Sequence, residues 1–328
     1  MSTKTDLLKL LDDNYGQFVS GQKIADTLGV SRAAVNKAAD SLRKSGYKIQ
    51  SRTRMGYRLH SKVDLLTEEA ISAYVERPCK IETFDTIGST NSYAKGLEIT
   101  DRPIAVVADK QSAGRGRLGR TFESPEGTGV YLSVAFKPDF DLDKALFITM
   151  AAAVATCRAI EKVAGVSPKI KWVNDLYYKD KKICGILTEA ISNFETGKID
   201  GIIIGIGINC FPNSFPPELA AIAGPISDEK DSFSRSQLAG EIINNILAMT
   251  EDFQTKHFMA EYKRRCFILG KNITVHTLGS NETIKAKALD IDENGGLVVE
   301  YMEGRQMREI DTLTSGEVSV RNDELHSF

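Results

Sequence analysis

Residues 113–122 read AGRGRLGRTF, with Gly114, Gly116 and Gly119 at G-x-G-x-x-G spacing and Arg115, Arg117 and Arg120 among them. That glycine spacing marks a dinucleotide-binding turn, which must follow a strand and open a helix so that a pyrophosphate rests on the helix N-terminus. A strand pattern lies upstream, in PIAVVADKQ, but TFESPEGTGVYLSVAF follows, broken by Pro125, Gly127 and Gly129 before it turns β-branched and aromatic. No helix dipole is on offer, and no G-K-[ST] follows to make a P-loop. An anion here must be held by side chains, and the three guanidinium groups suit phosphate or carboxylate because they are planar and always charged. On spacing alone, a solvated basic loop is the plain alternative.

Three other stretches carry compatible chemistry. KWVNDLYYKDKKICGIL places Lys171, Asn174, Asp175 and Lys182 around a strand-turn-strand, where the lysines can meet anions and Asn174 or Asp175 can order a magnesium ion or an adenine edge. GIGINC lets backbone approach a ligand closely at Gly205 and Gly207 and offers Asn209 as a polar group. GSTN, residues 88–91, caps a helix with Ser89 or Thr90. Read singly, these are turn residues, solvated lysines, a packed glycine-rich strand and an ordinary cap. Read together, they outline a site for two anions, the requirement for joining a carboxylate to the α-phosphate of ATP. Two unit charges about 4 Å apart repel by about 4 kcal/mol at an effective dielectric near 20, which fixed Arg and Lys groups offset.

The elements that position these residues fall into three segments, with boundaries expected at 62/63 and 270/271. In the first, TDLLKLLDD is a helix read as starting behind Thr5, and GQKIADTL and RAAVNKAADSL are two helices joined at Gly29 and capped by Ser31. A basic strand-turn-strand, YKIQSRTRMGYRL, follows. This is a winged helix-turn-helix, and Gly21, Gln22, Ser31, Arg32, Asn36, Lys37, Arg52 and Arg54 are its candidate DNA contacts, with Arg58 also on the wing. Residues 61–68 read as a linker. From about 80 to 270, strands such as KIKWVNDLYY, KKICGILTEA and IDGIIIGIGINCF alternate with a long buried helix and one or two C-terminal helices. This pattern describes a mixed, mainly antiparallel α+β sheet. Beyond 270, NITVHTL, TIKAKALDI, GLVVEYM, QMREI and GEVSVR are short strands at barrel spacing.

Bulk composition agrees. The 328 residues are 42% hydrophobic and 26% charged, which is ordinary for globular domains. Residues 1–60 hold 11 basic side chains against 5 acidic ones, whereas the rest holds 31 against 39, so a basic module that suits a polyanion precedes an acidic body. No run approaches a membrane span, and the acidic, amphipathic start is unlike a signal peptide, so a cytoplasmic protein without membrane association is expected. The five scattered cysteines are expected to be buried thiols, and none of the four histidines is assigned a role.

At these residues the chain closely resembles the bifunctional biotin–protein ligases that are also biotin operon repressors. The match runs nearly end to end, through the helix-turn-helix, GSTN, QSAGRGRLGR, KWVNDLYYKDKKICGIL, GIGIN and GEVSVR. The resemblance implies an N-terminal winged helix-turn-helix (1–62), a central mixed-sheet catalytic domain (63–270) and a C-terminal SH3-like β-barrel (271–328). It also implies a two-step reaction: biotin and MgATP give biotinyl-adenylate, which a lysine of biotin carboxyl carrier protein then attacks. By the family's motifs, Ser89, Thr90, Asn91, Gln111, Gly114, Arg115, Gly116, Arg117, Lys182, Gly185, Leu187 and Gly205 surround biotin. Arg117, Arg120, Phe122, Lys171, Asn174, Asp175, Asn209 and Arg321 serve ATP, and Arg117 and Lys182 are catalytic. Magnesium comes with ATP near Asp175 and Asn209 rather than at a fixed protein site. The adenylate-bound chain is implied to form a homodimer on operator DNA. Two positions depart from the family: Phe122 where Trp is common, and Val173 where Pro is usual. Neither removes a charge. A repressor without transfer activity, a lipoate–protein ligase and a ligase without regulation are the competing readings, and the intact arginines, the glycine-arginine loop and the basic module speak against them in turn.

Overall fold

In the computed structural model, residues 2–60, 64–138, 145–192, 199–213, 215–251, 253–276, 282–304, 307–315 and 317–320 are described. The chain opens with three helices, α1 (Thr3–Asp13), α2 (Gly21–Leu28) and α3 (Arg32–Lys44), and an antiparallel hairpin of β1 (Ile49–Arg52) and β2 (Gly56–Leu59). Leu7, Leu11, Ile24, Val35, Ala39 and Leu42 close a separate small core. Gly29 takes the left-handed conformation (φ 65°) that the tight turn between α2 and α3 needs, and Ser31 accepts from the Ala34 N–H to cap α3. The cap of α1 is Ser2, not Thr5: the helix begins at Thr3, four residues before its apolar stripe starts at Leu7, and Thr5 is buried in its first turn.

A seven-stranded sheet forms the centre. Its members are β3 (Lys80–Ile87), β4 (Ile104–Gln111), β5 (Gly129–Phe136), β6 (Lys169–Lys171), β7 (Asp175–Tyr178), β8 (Lys181–Ser192) and β9 (Ile199–Asn209), in the order β3-β4-β5-β9-β8-β7-β6. Only β3 and β4 run parallel. The KIKWVNDLYY segment is two strands rather than one, because Trp172–Asn174 form the turn that folds β7 back on β6. The Trp172–Val173 peptide in that turn is cis.

Side chains alternate across a strand, so each central strand feeds two layers. Val130, Leu132, Val134, Ile202, Ile204, Ile206 and Ile208 join the main core. Against that face pack α6 (Ala145–Ala164) and, beyond the short α7 (Pro217–Ala220), α8 (Arg235–Glu251) and α9 (Phe258–Arg265). The opposite face carries α5 (Thr90–Lys95) and a small second core of Ala94, Ile104, Val106, Ala135 and Ile203. A five-stranded antiparallel sheet of SH3-like type ends the chain, with order β13-β12-β11-β10-β14: β10 (Asn272–His276), β11 (Thr283–Ile291), β12 (Leu297–Tyr301), β13 (Ile310–Leu313) and β14 (Glu317–Val320). The strand read in QMREI starts only at its last residue, since Met307 and Arg308 turn the chain and Arg308 has φ 69°.

The segment read as a linker, described from Asp64 onward, leads through Thr67, which caps α4 (Glu68–Ser72), and Asp64 and Leu65 within it are firmly held. The Arg235 guanidinium, 3% exposed, forms an ion pair with Asp64, donates to Asp109 on β4 (2.5 Å) and to the Gly129 carbonyl on β5 (2.9 Å), and Ser236 donates to the Leu65 carbonyl (2.5 Å). Removing one partner of a buried ionic cluster leaves the others uncompensated at a cost of about 3–5 kcal/mol. Urea unfolding of Arg235→Met is expected to show a loss of about that size. Elsewhere, Arg265 hydrogen-bonds Glu161 (2.7 and 2.8 Å) and holds its carboxyl below the usual carboxylate range. A depressed carboxylate contributes stability that is present above its unfolded pKa and lost as pH falls through the folded value. Acid titration of the melting temperature should therefore fall less steeply for Glu161→Gln than for the unaltered chain.

Candidate active site

The floor of the site follows from strand alternation. Gly205, Gly207 and Asn209 of β9 share one face, opposite Leu187 and Gly185 of β8. A Cβ on Gly205 would lie 2.0 Å from Asn91 Oδ1, and one on Gly207 would lie 2.4 Å from the Phe122 ring. The close approach expected of these glycines is thus made by two of the protein's own side chains. Phe122 packs against Gly207 and Gly185 to form one wall, edge-on to Tyr131 with ring centroids 6.4 Å apart.

One end of the cleft is a polar slot. Ser89 caps α5 by accepting from the Ser92 N–H (3.4 Å), so Thr90 and Asn91 enter the helix's first turn buried beneath the cleft. Gln111 Oε1 accepts from the Thr90 N–H (2.9 Å), and its amide donates to Ser124 (2.9 Å). Asn91 donates to Glu189 (2.9 Å) and to the Leu187 carbonyl (3.3 Å), and accepts from the buried hydroxyl of Ser133 (2.6 Å), whose oxygen also lies 2.8 Å from Thr90 Oγ1. Such a network fixes which way every amide faces.

The other end is charged. Lys182 Nζ sits 2.8 Å from Asp175 Oδ1, and Arg117 donates to Asn174 Oδ1 (2.9 Å), while Asn174 Nδ2 donates to the Ile186 carbonyl (3.0 Å). Lys171 and Arg120 line the same cleft. Asn209 is 4% exposed, and its Oδ1 has no protein hydrogen-bond partner among the described residues. Between the two ends runs the glycine-arginine loop. The Phe122 N–H bonds back to Gly114 (3.0 Å) and the Gly116 N–H to Arg120 (2.7 Å), forming a tight excursion with Leu118 60% exposed at its tip. The loop contains one short 3-10 turn, Arg117–Gly119, and no α-helix. Burial pushes the thiols of Cys184 and Cys210 well above their ordinary value, so neither is a nucleophile.

One cleft thus gathers Ser89, Thr90, Asn91, Gln111, Arg115, Gly116, Arg117, Arg120, Phe122, Lys171, Asn174, Asp175, Lys182, Gly185, Leu187, Gly205 and Asn209. Gly114 is buried at the loop's stem, against Phe122 and Ser124. Arg321 lies outside the described residues. Sequence reasoning missed Ser133 and Glu189, which sit in strand interiors; Ser133 is a lone polar residue in an apolar run, and Glu189 follows Thr188 in one that is mainly apolar. It also missed the wall made by Leu219, Ile222 and Ala223, which lie in α7 and just after it.

At the N-terminus, Gln22, Ser31, Arg32, Asn36, Lys37, Arg52 and Arg54 are all exposed, and Gly21 opens α2 beside Tyr57. Tyr57 of the hairpin donates to Asn36 (3.2 Å), tying wing to recognition helix. Arg58 is half-buried, donating to Gln50 (2.5 Å) with its guanidinium over Phe18 (4.6 Å), while the exposed Arg52 also reaches over that ring (5.4 Å).

A helix-turn-helix unit joined to a cleft that pairs a polar slot with a cationic end defines a DNA-binding module fused to a ligase. Three family models match in that order: HTH domain over residues 3–58, Biotin/lipoate A/B protein ligase family over 83–209 and Biotin protein ligase C terminal domain over 268–321. The chain belongs to the bifunctional ligase/repressor family. It is 39% identical over 321 residues to the bifunctional ligase/repressor BirA of Bacillus subtilis, covering 92% of this chain and 95% of that one. To the Escherichia coli protein of the same description it is 30% identical, covering 94% and 95%. The structure of biotin protein ligase from Aquifex aeolicus in complex with biotin and ATP superposes with a TM-score of 0.62 at 27% identity, covering 74% of this chain and 98% of that one. Among the described residues no helix is long and apolar enough to cross a membrane.

Because Phe122 needs Gly207 bare, Gly207→Ala must push the ring off the sheet. Overpacking of this kind costs about 1–3 kcal/mol, which thermal melting should detect.

Proposed function

We propose that the chain adenylates biotin with MgATP, transfers biotin to a lysine of biotin carboxyl carrier protein, and as an adenylate-bound dimer represses genes for biotin supply. The observation that carries this reading is the single cleft in which the Thr90–Gln111 polar slot adjoins the Arg117, Lys182 and Lys171 cations. In the first step a biotin carboxylate oxygen attacks the α-phosphorus of ATP, and the bond to the bridging oxygen breaks, releasing pyrophosphate. In the second, the neutral carrier lysine attacks the acyl carbonyl, and AMP leaves.

Lys182 and Arg117 stand where the two anions converge. Each is already oriented by a neighbour, Asp175 for one and Asn174 for the other, so little reorganisation accompanies binding. Ser89, Thr90, Asn91, Gln111, Gly114, Arg115, Gly116, Gly185, Leu187 and Gly205 make the biotin side, and Arg120, Phe122, Lys171, Asn174, Asp175 and Asn209 the ATP side. A magnesium ion arriving with ATP would be held by Asp175 and the unpartnered Oδ1 of Asn209, and would supply positive charge to the phosphates. With domain limits at 62/63 and 270/271, DNA binding and ligation fall to separate units, and a need for ATP and a carrier protein supports a cytoplasmic location.

Incorporation of labelled biotin into a carrier domain, with labelled lipoate as control, tests the activity. Biotin transfer with little lipoate transfer is expected, and the reverse outcome defeats the reading. Arg117→Ala and Lys182→Met are each expected to slow adenylate formation by about 10²–10³ while leaving the fold's circular dichroism unchanged. For the repressor function, sedimentation should show added mass at micromolar protein only with biotin and ATP present. Arg52→Ala or Arg54→Ala should weaken DNA binding uniformly across sequences and lower its salt slope by about 1 each.

A further inference from the structure

We propose that Glu189 is a positioning residue for biotin: it holds the Arg115 guanidinium and the Asn91 amide together, so that loop and polar slot take up their binding arrangement as a unit. The inference rests on the reading of the cleft as a biotin site. Glu189 itself does not line the cleft. Strand alternation places it two residues past Leu187 on the same face of β8, and its register partner is Ile203 of β9. From there Oε2 accepts from Asn91 Nδ2 (2.9 Å) and from Arg115 Nη1 (3.5 Å), which also lies 3.3 Å from Oε1, and Lys95 Nζ stands 3.9 Å from Oε1.

Two consequences follow from the chemistry. A carboxylate next to a site for anions works against binding unless cations neutralise it, and Arg115 and Lys95 are those cations. The carboxylate is also acceptor-only, so together with the Leu187 carbonyl it makes Asn91 present its NH₂ toward β8 and its Oδ1 toward Ser133. That orientation reaches Thr90 through Ser133 and Gln111 through Thr90. Freeing Arg115 therefore loosens the loop, and freeing Asn91 loosens the slot. One residue governs both.

The test uses the full-length chain, with biotin binding by calorimetry and the lifetime of preformed biotinyl-adenylate by chase. Glu189→Gln keeps an oxygen for Asn91 but discharges the pair with Arg115. Its biotin Kd is expected to rise about tenfold and the adenylate to be lost about fivefold faster, with a smaller fall in the rate of adenylate formation. Biotin dissociation from the unaltered chain should quicken with added salt, as screening weakens the ion pair, and that response should be lost in the variant. Arg115→Gln, at an exposed side chain that does not threaten folding, should reproduce these changes, and the double variant should be no worse than either single one. Additive effects, a Kd within twofold of the unaltered value, or an equal fall in affinity and rate alongside a lowered melting temperature would each overturn the proposal. If the unaltered chain binds no biotin, the reading of the cleft falls, and the proposal with it.

Discussion

Cations crowded into one cleft repel each other as strongly as the anions they are meant to receive, and the site is organised around that constraint. Each cation that faces the cleft and whose partner is described above is held by a group of complementary character: Lys182 by Asp175, Arg117 by Asn174 and Arg115 by Glu189. The partners come from β7, the turn before it and β8, all within the rigid sheet, so the spacing of charge is set by strand register rather than by the loop. A flexible basic loop without these anchors would spread its arginines into water, where each is well hydrated and none is aimed.

The sheet can serve this purpose because its two faces do different work. Isoleucines at alternate positions of β9 bury themselves under α6 and α8, which pins the strand. Two of the intervening positions, Gly205 and Gly207, carry no side chain and admit Asn91 and Phe122 to within van der Waals contact of the backbone. Tight packing of this kind leaves few alternative positions for either side chain. The polar slot and the aromatic wall are therefore as fixed as the core beneath them.

Much of this was legible in the chain. The helix-turn-helix could be read because local signals act alone there: Gly29 for the turn, Ser31 for the cap and two apolar stripes. The clustering of Arg117, Asn174, Asp175, Lys182 and Asn209 was legible from residue type and motif spacing. What escaped had no local signature. Ser133 and Glu189 look like ordinary strand residues until β5 and β8 come to flank β9, and Ser2 displaced Thr5 as a cap because helix starts are decided within a residue or two. That Asn91 and Phe122 approach Gly205 and Gly207 escaped for the same reason, since only the tertiary arrangement shows it. In the supposed linker, Asp64 meets Arg235 across 171 positions of sequence, a pairing that no window could reveal.

That clasp bears on how the two functions can communicate. The His60 N–H is bonded within the N-terminal module to Lys48, and Asp64 is already fastened to α8, leaving three residues and a reach of roughly 14 Å between the fixed points. Tyr74 to Asp12 and Lys4 to Glu69, each 2.5 Å, fasten the modules at further points. With so short a leash, the recognition helix has little freedom to swivel in search of its groove. In a twofold assembly, the distance between the two reading heads would then be a property of the ligase halves, and an operator whose half-sites were moved apart could not be followed by slack in the protein.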